Sequence, residues 1–112
     1  MTESAIVAEV LIAVSRLPQT MVWRHNSGKL PDANGRWISF GLVGSGDIIG
    51  THRGWAIAIE CKTRSGRLAL EQQRFRLAWM RAGGAYIVAR SAEDALRGLA
   101  ALDATGSAAA RK

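Results

Sequence analysis

Trp55-Ala56-Ile57-Ala58-Ile59-Glu60-Cys61-Lys62 is a short, mostly apolar run with Trp and two Ile, bounded on its N-terminal side by Gly54, and it reads as a strand. Successive side chains of a strand point to opposite faces. Trp55, Ile57, Ile59 and Cys61 therefore share one face, which belongs in a core. Ala56, Ala58, Glu60 and Lys62 share the other, where two alanines leave open space beside two charges. Glu60 and Lys62 lie about 6.5–7 Å apart along such a strand. The ordinary explanation for them is a solvated strand end with a weak ion pair; the alternative is a site.

Working outward, Asp47–Gly50 is a short apolar strand that pairs with this one as a hairpin, with Thr51–Gly54 as its turn. Gly41–Gly46 holds three glycines and marks a turn or a close backbone approach. Arg36–Phe40 alternates as a strand, Asn26–Arg36 is polar and Gly-containing and reads as a loop, and Met21–His25 is a strand. Residues 3–17 form a helix with Thr2 or Ser4 as N-cap and Pro18 beyond its end. On the other side, Leu68–Ala82 is helical, Gly83-Gly84 stops it, Ala85–Ala89 is a strand, and Ser91 caps a last helix reaching about Leu102. The expected order is α-β-β-β-β-α-β-α, an α/β fold with a mixed central sheet flanked by helices. The domain spans 1–103, followed by a loose tail over 104–112.

The chain has 112 residues, enough for one core without disulfide or metal staples. No apolar run approaches the ~20 residues needed to cross a bilayer, no signal peptide is visible, and Cys61 is the sole cysteine. A reducing cytoplasm is expected. The net charge is +6, and 12 of the 15 basic residues are Arg. Arg suits phosphate because its planar fork binds two oxygens, so the balance fits a nucleic-acid partner as well as an ordinary basic domain.

Three further polar residues sit where apolar ones are expected. At about 100° per residue, Glu3 aligns with Ile6, Val7, Val10, Val14 and Leu17 on the buried side of the first helix; it is equally a first-turn carboxylate that complements the helix dipole in water. Leu68, Gln72, Phe75, Trp79 and Ala82 make one buried seam, in which Gln72 is the polar member, either bonded to a loop backbone or facing a site. Asp47 follows Gly-Ser-Gly; it caps its own turn or brings a second carboxylate beside Glu60.

Two carboxylates within a few ångströms repel unless a cation lies between them. Oxygen donors suit Mg²⁺ or Mn²⁺, which polarise phosphate and activate water. Lys62 could then orient or deprotonate that water, or hold charge at phosphorus, and the Cys61 carbonyl could be a further ligand. His25, His52 and Cys61 do not make a zinc set, and there is no P-loop or dinucleotide fingerprint.

Asp47 followed by Glu60-Cys61-Lys62 resembles the core of the PD-(D/E)XK nucleases. The wider pattern resembles their stand-alone VRR-NUC family, found in phages and bacteria: Glu3-Ser4, WRHNSG at 23–28, GSGDIIG at 44–50, AIECKTRSGRLALEQQRF at 58–75 and AGGAYIVARSAEDAL at 82–96. The resemblance implies a restriction-endonuclease-like core and a metal-dependent DNA endonuclease. Its active site would consist of Glu3, Asp47, Glu60, Lys62 and Gln72, with Mg²⁺ or Mn²⁺ on Asp47, Glu60, the Cys61 carbonyl and, as a further ligand, Glu3. It also points to Arg24 and Asn26 near the site, and Lys29 and Arg64 join them as expected DNA contacts. A homodimer acting on branched or four-way-junction DNA, in a bacterial or phage-infected cell, is the implied setting. Gly46 stands where the superfamily name has Pro, and Ala69 where a Ser or Thr often caps the helix. Two rival readings are a basic DNA-binding module without catalysis and an interaction subunit of a larger phage complex that docks through its last helix.

Overall fold

A computed structural model of the chain describes residues 1–26, 28–40 and 44–106, without the side chains of 28–30 and 38–40. The elements are α1 (Glu3–Ser15), β1 (Thr20–Arg24), β2 (Gly28–Pro31), β3 (Trp37–Phe40), β4 (Ile48–His52), β5 (Trp55–Cys61), α2 (Leu70–Arg81), β6 (Ala85–Ala89) and α3 (Ala92–Asp103). Four strands form one mixed sheet in the order β1-β4-β5-β6. β1 and β5 run antiparallel to β4, and β6 runs parallel to β5. A parallel pair needs a crossover, and α2 supplies it.

The strand at the centre sorts its side chains as alternation requires. Trp55, Ile57, Ile59 and Cys61 are buried on the face that carries α1 and α3. There they meet Ile6, Val7, Val10 and Val14 of α1 and Ala95 and Leu99 of α3. Burying a side chain the size of Ile contributes about 1.5–3 kcal/mol, so Ile48, Ile57 and Ile59, all fully buried, anchor this layer. The apolar side of α3 is thereby taken up by the chain's own core. The opposite face carries Ile49, Ala58 and Tyr86, in register across β4, β5 and β6, and Glu60, whose partner on β6 is Val88, and α2 lies over it.

Local chemistry explains the element ends. Thr2 is the N-cap of α1, its hydroxyl accepting from the Ala5 amide at 3.1 Å; Ser91 does the same for Asp94 at 3.1 Å. The turn between β4 and β5 is tighter than expected. β4 continues to His52, which pairs with Trp55, leaving Arg53 (φ 49°) and Gly54 (φ 84°) as the two turn residues. Two positive φ values define the hairpin turn whose twist matches the flanking strands. Gly50 is required by packing, because a Cβ there would overlap the Met21 carbonyl of β1.

The segment Asn26–Arg36, expected to be a loop, contains β2, which pairs with β3 as a separate two-stranded ribbon. The element order is therefore α-β-β-β-β-β-α-β-α. The polar residues that suggested a loop form the ribbon's turn: Asp32 Oδ1 accepts from the amides of Asn34 and Arg36 at 2.8 and 2.9 Å. The expected glycine turn at 41–46 lies partly outside the described residues; Gly44, at φ 85°, packs against the Glu71 backbone of α2 where a Cβ would collide. The first helix ends at Ser15, short of residue 17, and α2 begins at Leu70. The tail expected over 104–112 starts with Ala104 as the α3 C-cap, and residues 107–112 lie outside the described residues. Among the described residues no helix is long and apolar enough to cross a membrane.

Candidate active site

Register places the site. Ile48 pairs with Ile59, so Asp47, one residue before β4, comes level with Glu60. Its Oδ2 accepts from the Cys61 amide at 2.7 Å, and its carbonyl accepts from the His25 amide at 2.8 Å. Asp47 thus holds β5 rather than capping its own turn. Glu3, in the first turn of α1 and itself exposed, reaches the same point. Carboxylate oxygens of Glu3, Asp47 and Glu60 lie within 4.8 Å of one another, the only such group of potential ligands among the described residues. For Glu3, the first-turn position and the place beside the site coincide.

Glu60 and Lys62 are not a solvated strand end; their relative exposures are 2% and 8%. Glu60 Oε1 accepts from Gln72 Nε2 at 2.5 Å and faces Lys62 Nζ at 3.7 Å. Its other oxygen, Oε2, is buried with no hydrogen-bond partner among the described residues. Burial and then the negative charge of Asp47 push the Glu60 carboxyl up to about 8; Lys62 opposes the rise, and Glu3 and a hydrogen bond between the protonated Glu60 carboxyl and Asp47 add to it. Three carboxylates this close make an all-oxygen donor set, the kind that hard divalent cations take.

Gln72 serves two elements. Its Oε1 accepts from the Ala69 amide at 2.7 Å, so the helix start that lacks a Ser or Thr cap still has one orphan donor satisfied from the third helical position. Its Nε2 is left to reach Glu60. Gln73 instead donates to the Leu68 carbonyl at 3.1 Å, on the exposed side. The seam predicted for this helix is only half formed. Gln72, Phe75 and Trp79 face the sheet, Ala82 is exposed, and α2 has no fully buried residue, because the helix stands off the sheet above a cleft.

Cys61 is buried, and burial together with the neighbouring carboxylates pushes its thiol up to about 12, leaving it an unreactive packing residue. Arg24 is exposed at the end of β1, opposite Ile48, and its charge is felt at Cys61. Asn26 and Arg64 are also exposed. Lys29 falls on β2 opposite Ser39, with its side chain outside the described residues. Arg90 shapes the loop leading from β5 to α2, its Nη1 donating to the carbonyls of Thr63 and Gly66 at 2.5 and 2.7 Å.

Sequence reasoning missed Tyr86. Its register with Ala58 puts it on the Glu60 face, its hydroxyl is buried without a partner among the described residues, and burial plus the Glu60 and Asp47 charges push it above its ordinary value. The signal was weak, since Ala-Tyr-Ile-Val-Ala is apolar on both faces. His52, the other buried polar residue, is structural: Nδ1 meets Thr20 Oγ1 at 2.6 Å and Nε2 meets Asp103 Oδ1 at 2.7 Å, tying the hairpin to the end of α3. Comparison with family models and with curated proteins finds no match for this chain.

Proposed function

We propose that the chain is a metal-dependent DNA endonuclease of the restriction-endonuclease-like kind, as its resemblance to the VRR-NUC family implies. The observation that carries the reading is the buried, half-satisfied Glu60 carboxylate beside Asp47 and Glu3. A pure binder of a polyanion gains nothing from three acidic groups facing phosphate. Mg²⁺ or Mn²⁺ held by Asp47, Glu60 and Glu3, with the Cys61 carbonyl as a further donor, would supply Lewis-acid polarisation of the phosphate and activation of the attacking water.

The chain's own residues set the geometry. The Cys61 amide fixes Asp47 and the Gln72 amide group fixes Glu60, so neither carboxylate must reorganise during the reaction. Lys62, held near Glu60, is placed to orient the attacking water or to donate to a non-bridging phosphate oxygen as negative charge builds there. Water oxygen bonds to phosphorus and gives up one proton to solvent, one bond from phosphorus to a sugar oxygen breaks, and the departing oxygen takes a proton from solvent. Arg24, Asn26, Lys29 and Arg64 serve as backbone contacts. Branched or junction DNA is the substrate and a homodimer the working form, both on the strength of the resemblance.

The test is a cleavage assay on a four-way junction, a flap, a linear duplex and single strands, each with Mg²⁺, Mn²⁺ and Ca²⁺. Cleavage with Mg²⁺ or Mn²⁺, fastest on a branched substrate, is expected. Tight DNA binding without cleavage under any condition would leave a non-catalytic binding module in its place.

A further inference from the structure

Beside the carboxylates, where α2 stands off the sheet, a cleft of about 260 Å³ opens between Trp23, His25, Ser45, Ile49, Phe75 and Trp79. Drug-sized ligands take about 300–1,000 Å³; this one suits a single planar ring system. Three of its six walls are Trp or Phe rings. Phe75 and Trp79 stack on each other, with centroids 5.4 Å apart and planes 24° from parallel. Trp79 is fixed by its Nε1, which donates to the Ala85 carbonyl at 2.9 Å, and by Gly84, whose lack of a side chain makes room for the indole. Trp23 is 48% exposed, so one wall is open to an incoming group.

His25 Nε2 and Ser45 Oγ are buried behind its walls, with no hydrogen-bond partner among the described residues, so the surface the cleft offers is apolar. An apolar slot walled by aromatic rings takes a flat ring by its faces. The cleft shares its backbone with the carboxylate site. Ser45 lies two residues before Asp47, and the His25 amide donates to the Asp47 carbonyl. A ligand whose phosphate sits at the carboxylates would carry a ring of this kind a few bonds away.

We infer that the cleft lined by Trp23, Phe75 and Trp79 is a nucleobase pocket, which takes one unpaired base of the DNA next to the phosphate at the carboxylate cluster. The inference rests on the nuclease reading for the identity of that phosphate and deepens it, because it names the substrate feature selected: a base out of the stack. Aromatic faces hold bases whatever their sequence, since every base has a π-face. An unpaired base costs least to extract where pairing is already broken, which favours strands near a branch, gap or bulge over a continuous duplex.

The test reads binding, so it does not depend on cleavage. A short single strand carrying one 2-aminopurine, a fluorescent adenine analogue, is titrated with wild-type protein and Trp23→Ala in the presence of Ca²⁺. Anisotropy of a separate dye on the same strand reports total binding. Wild type is expected to quench the analogue several-fold. Trp23→Ala, a change at a half-exposed side chain, is expected to lose most of the quench and to weaken binding about tenfold. Strand binding with no quench, or an equal quench by wild type and Trp23→Ala, would overturn the pocket, as would failure to bind the strand at all. A change in oligomeric state on Trp23→Ala, with binding untouched, would overturn it in favour of a surface for a second copy. Cleavage is scored separately: quenching without Mg²⁺-dependent cleavage contradicts the nuclease reading and leaves the pocket standing, whereas cleavage without quenching does the reverse.

Discussion

Gln72 reaches from α2 to the central strand and donates from Nε2 to Oε1 of Glu60 at 2.5 Å, while the next residue, Gln73, turns to the Leu68 carbonyl on the outside of the helix. Two chemically identical neighbours are separated by about 100° of helical phase, and only one touches the carboxylate cluster. Gln72→Ala should therefore lower cleavage roughly 10–100-fold, the range for a partner that orients a ligand, and destabilise the fold by about 1–3 kcal/mol by unpairing a buried group. Gln73→Ala should leave both near wild type. Rates and melting temperatures of the two variants check this. A Gln72→Ala rate loss accounted for by unfolding alone would reduce the residue to a packing role.

Lys62 lies 3.7 Å from Glu60 Oε1 and is nearly buried. Lys62→Ala should slow cleavage by the equivalent of about 3 kcal/mol, the cost of removing one preorganised electrostatic donor, while Mn²⁺ still binds. Because the lysine opposes the rise in the Glu60 carboxyl, its loss should also move the pH at which metal binding sets in to higher values. Mn²⁺ titration at several pH values measures both. Lost metal affinity at every pH would assign Lys62 a structural role.

How much of this was legible in the sequence depended on whether one element could be read alone. Strand alternation put Glu60 and Lys62 together opposite Ile57 and Ile59, and helical phase put Glu3 with Ile6 and Val10; both are periodicities of a single segment. Caps were equally local, as Thr2 and Ser91 show. What stayed hidden needed a second segment. β2 was masked by the polar residues of its own turn, Asp32 to Gly35, and became a strand only through pairing with β3. Tyr86 lay in a run with no polar side, so its facing was fixed only by register with Ala58. The half-formed seam of α2 is a consequence of how far the helix sits from the sheet, a distance no periodicity encodes.

The metal-free protein should lose stability as pH rises. Folded Glu60 keeps its proton up to about pH 8, whereas the unfolded chain releases it near the ordinary 4.5. Between those values the folded state holds a proton that the unfolded state has lost, so its contribution is greatest below about pH 4.5 and declines through pH 8. The melting temperature in EDTA should fall more steeply from pH 5 to pH 8 for wild type than for Glu60→Gln, and Mn²⁺ should restore more of it at pH 8 than at pH 5. Parallel profiles for the two proteins would contradict the raised Glu60 carboxyl.

DNA affinity should fall steeply with salt, since a chain with 12 arginines and a net charge of +6 displaces counterions from the phosphate backbone. Binding isotherms of wild type and Arg24→Ala across a range of KCl concentrations test this, with a shallower slope expected for the variant. A flat dependence for wild type would argue for a partner other than nucleic acid.

The most direct measurement is Mg²⁺-dependent cleavage of a branched DNA by wild type, Asp47→Asn and Glu60→Gln at equal protein concentration, with DNA binding followed in Ca²⁺. Each substitution keeps the side chain's shape and removes its charge. Wild type is expected to cut, and both variants to lose more than roughly a hundredfold in rate, beyond the 10–100-fold typical of outer partners, while binding DNA as tightly as wild type. Cleavage by either variant at the wild-type rate, or no cleavage by wild type, would contradict the assignment of Glu3, Asp47 and Glu60 as a catalytic metal centre.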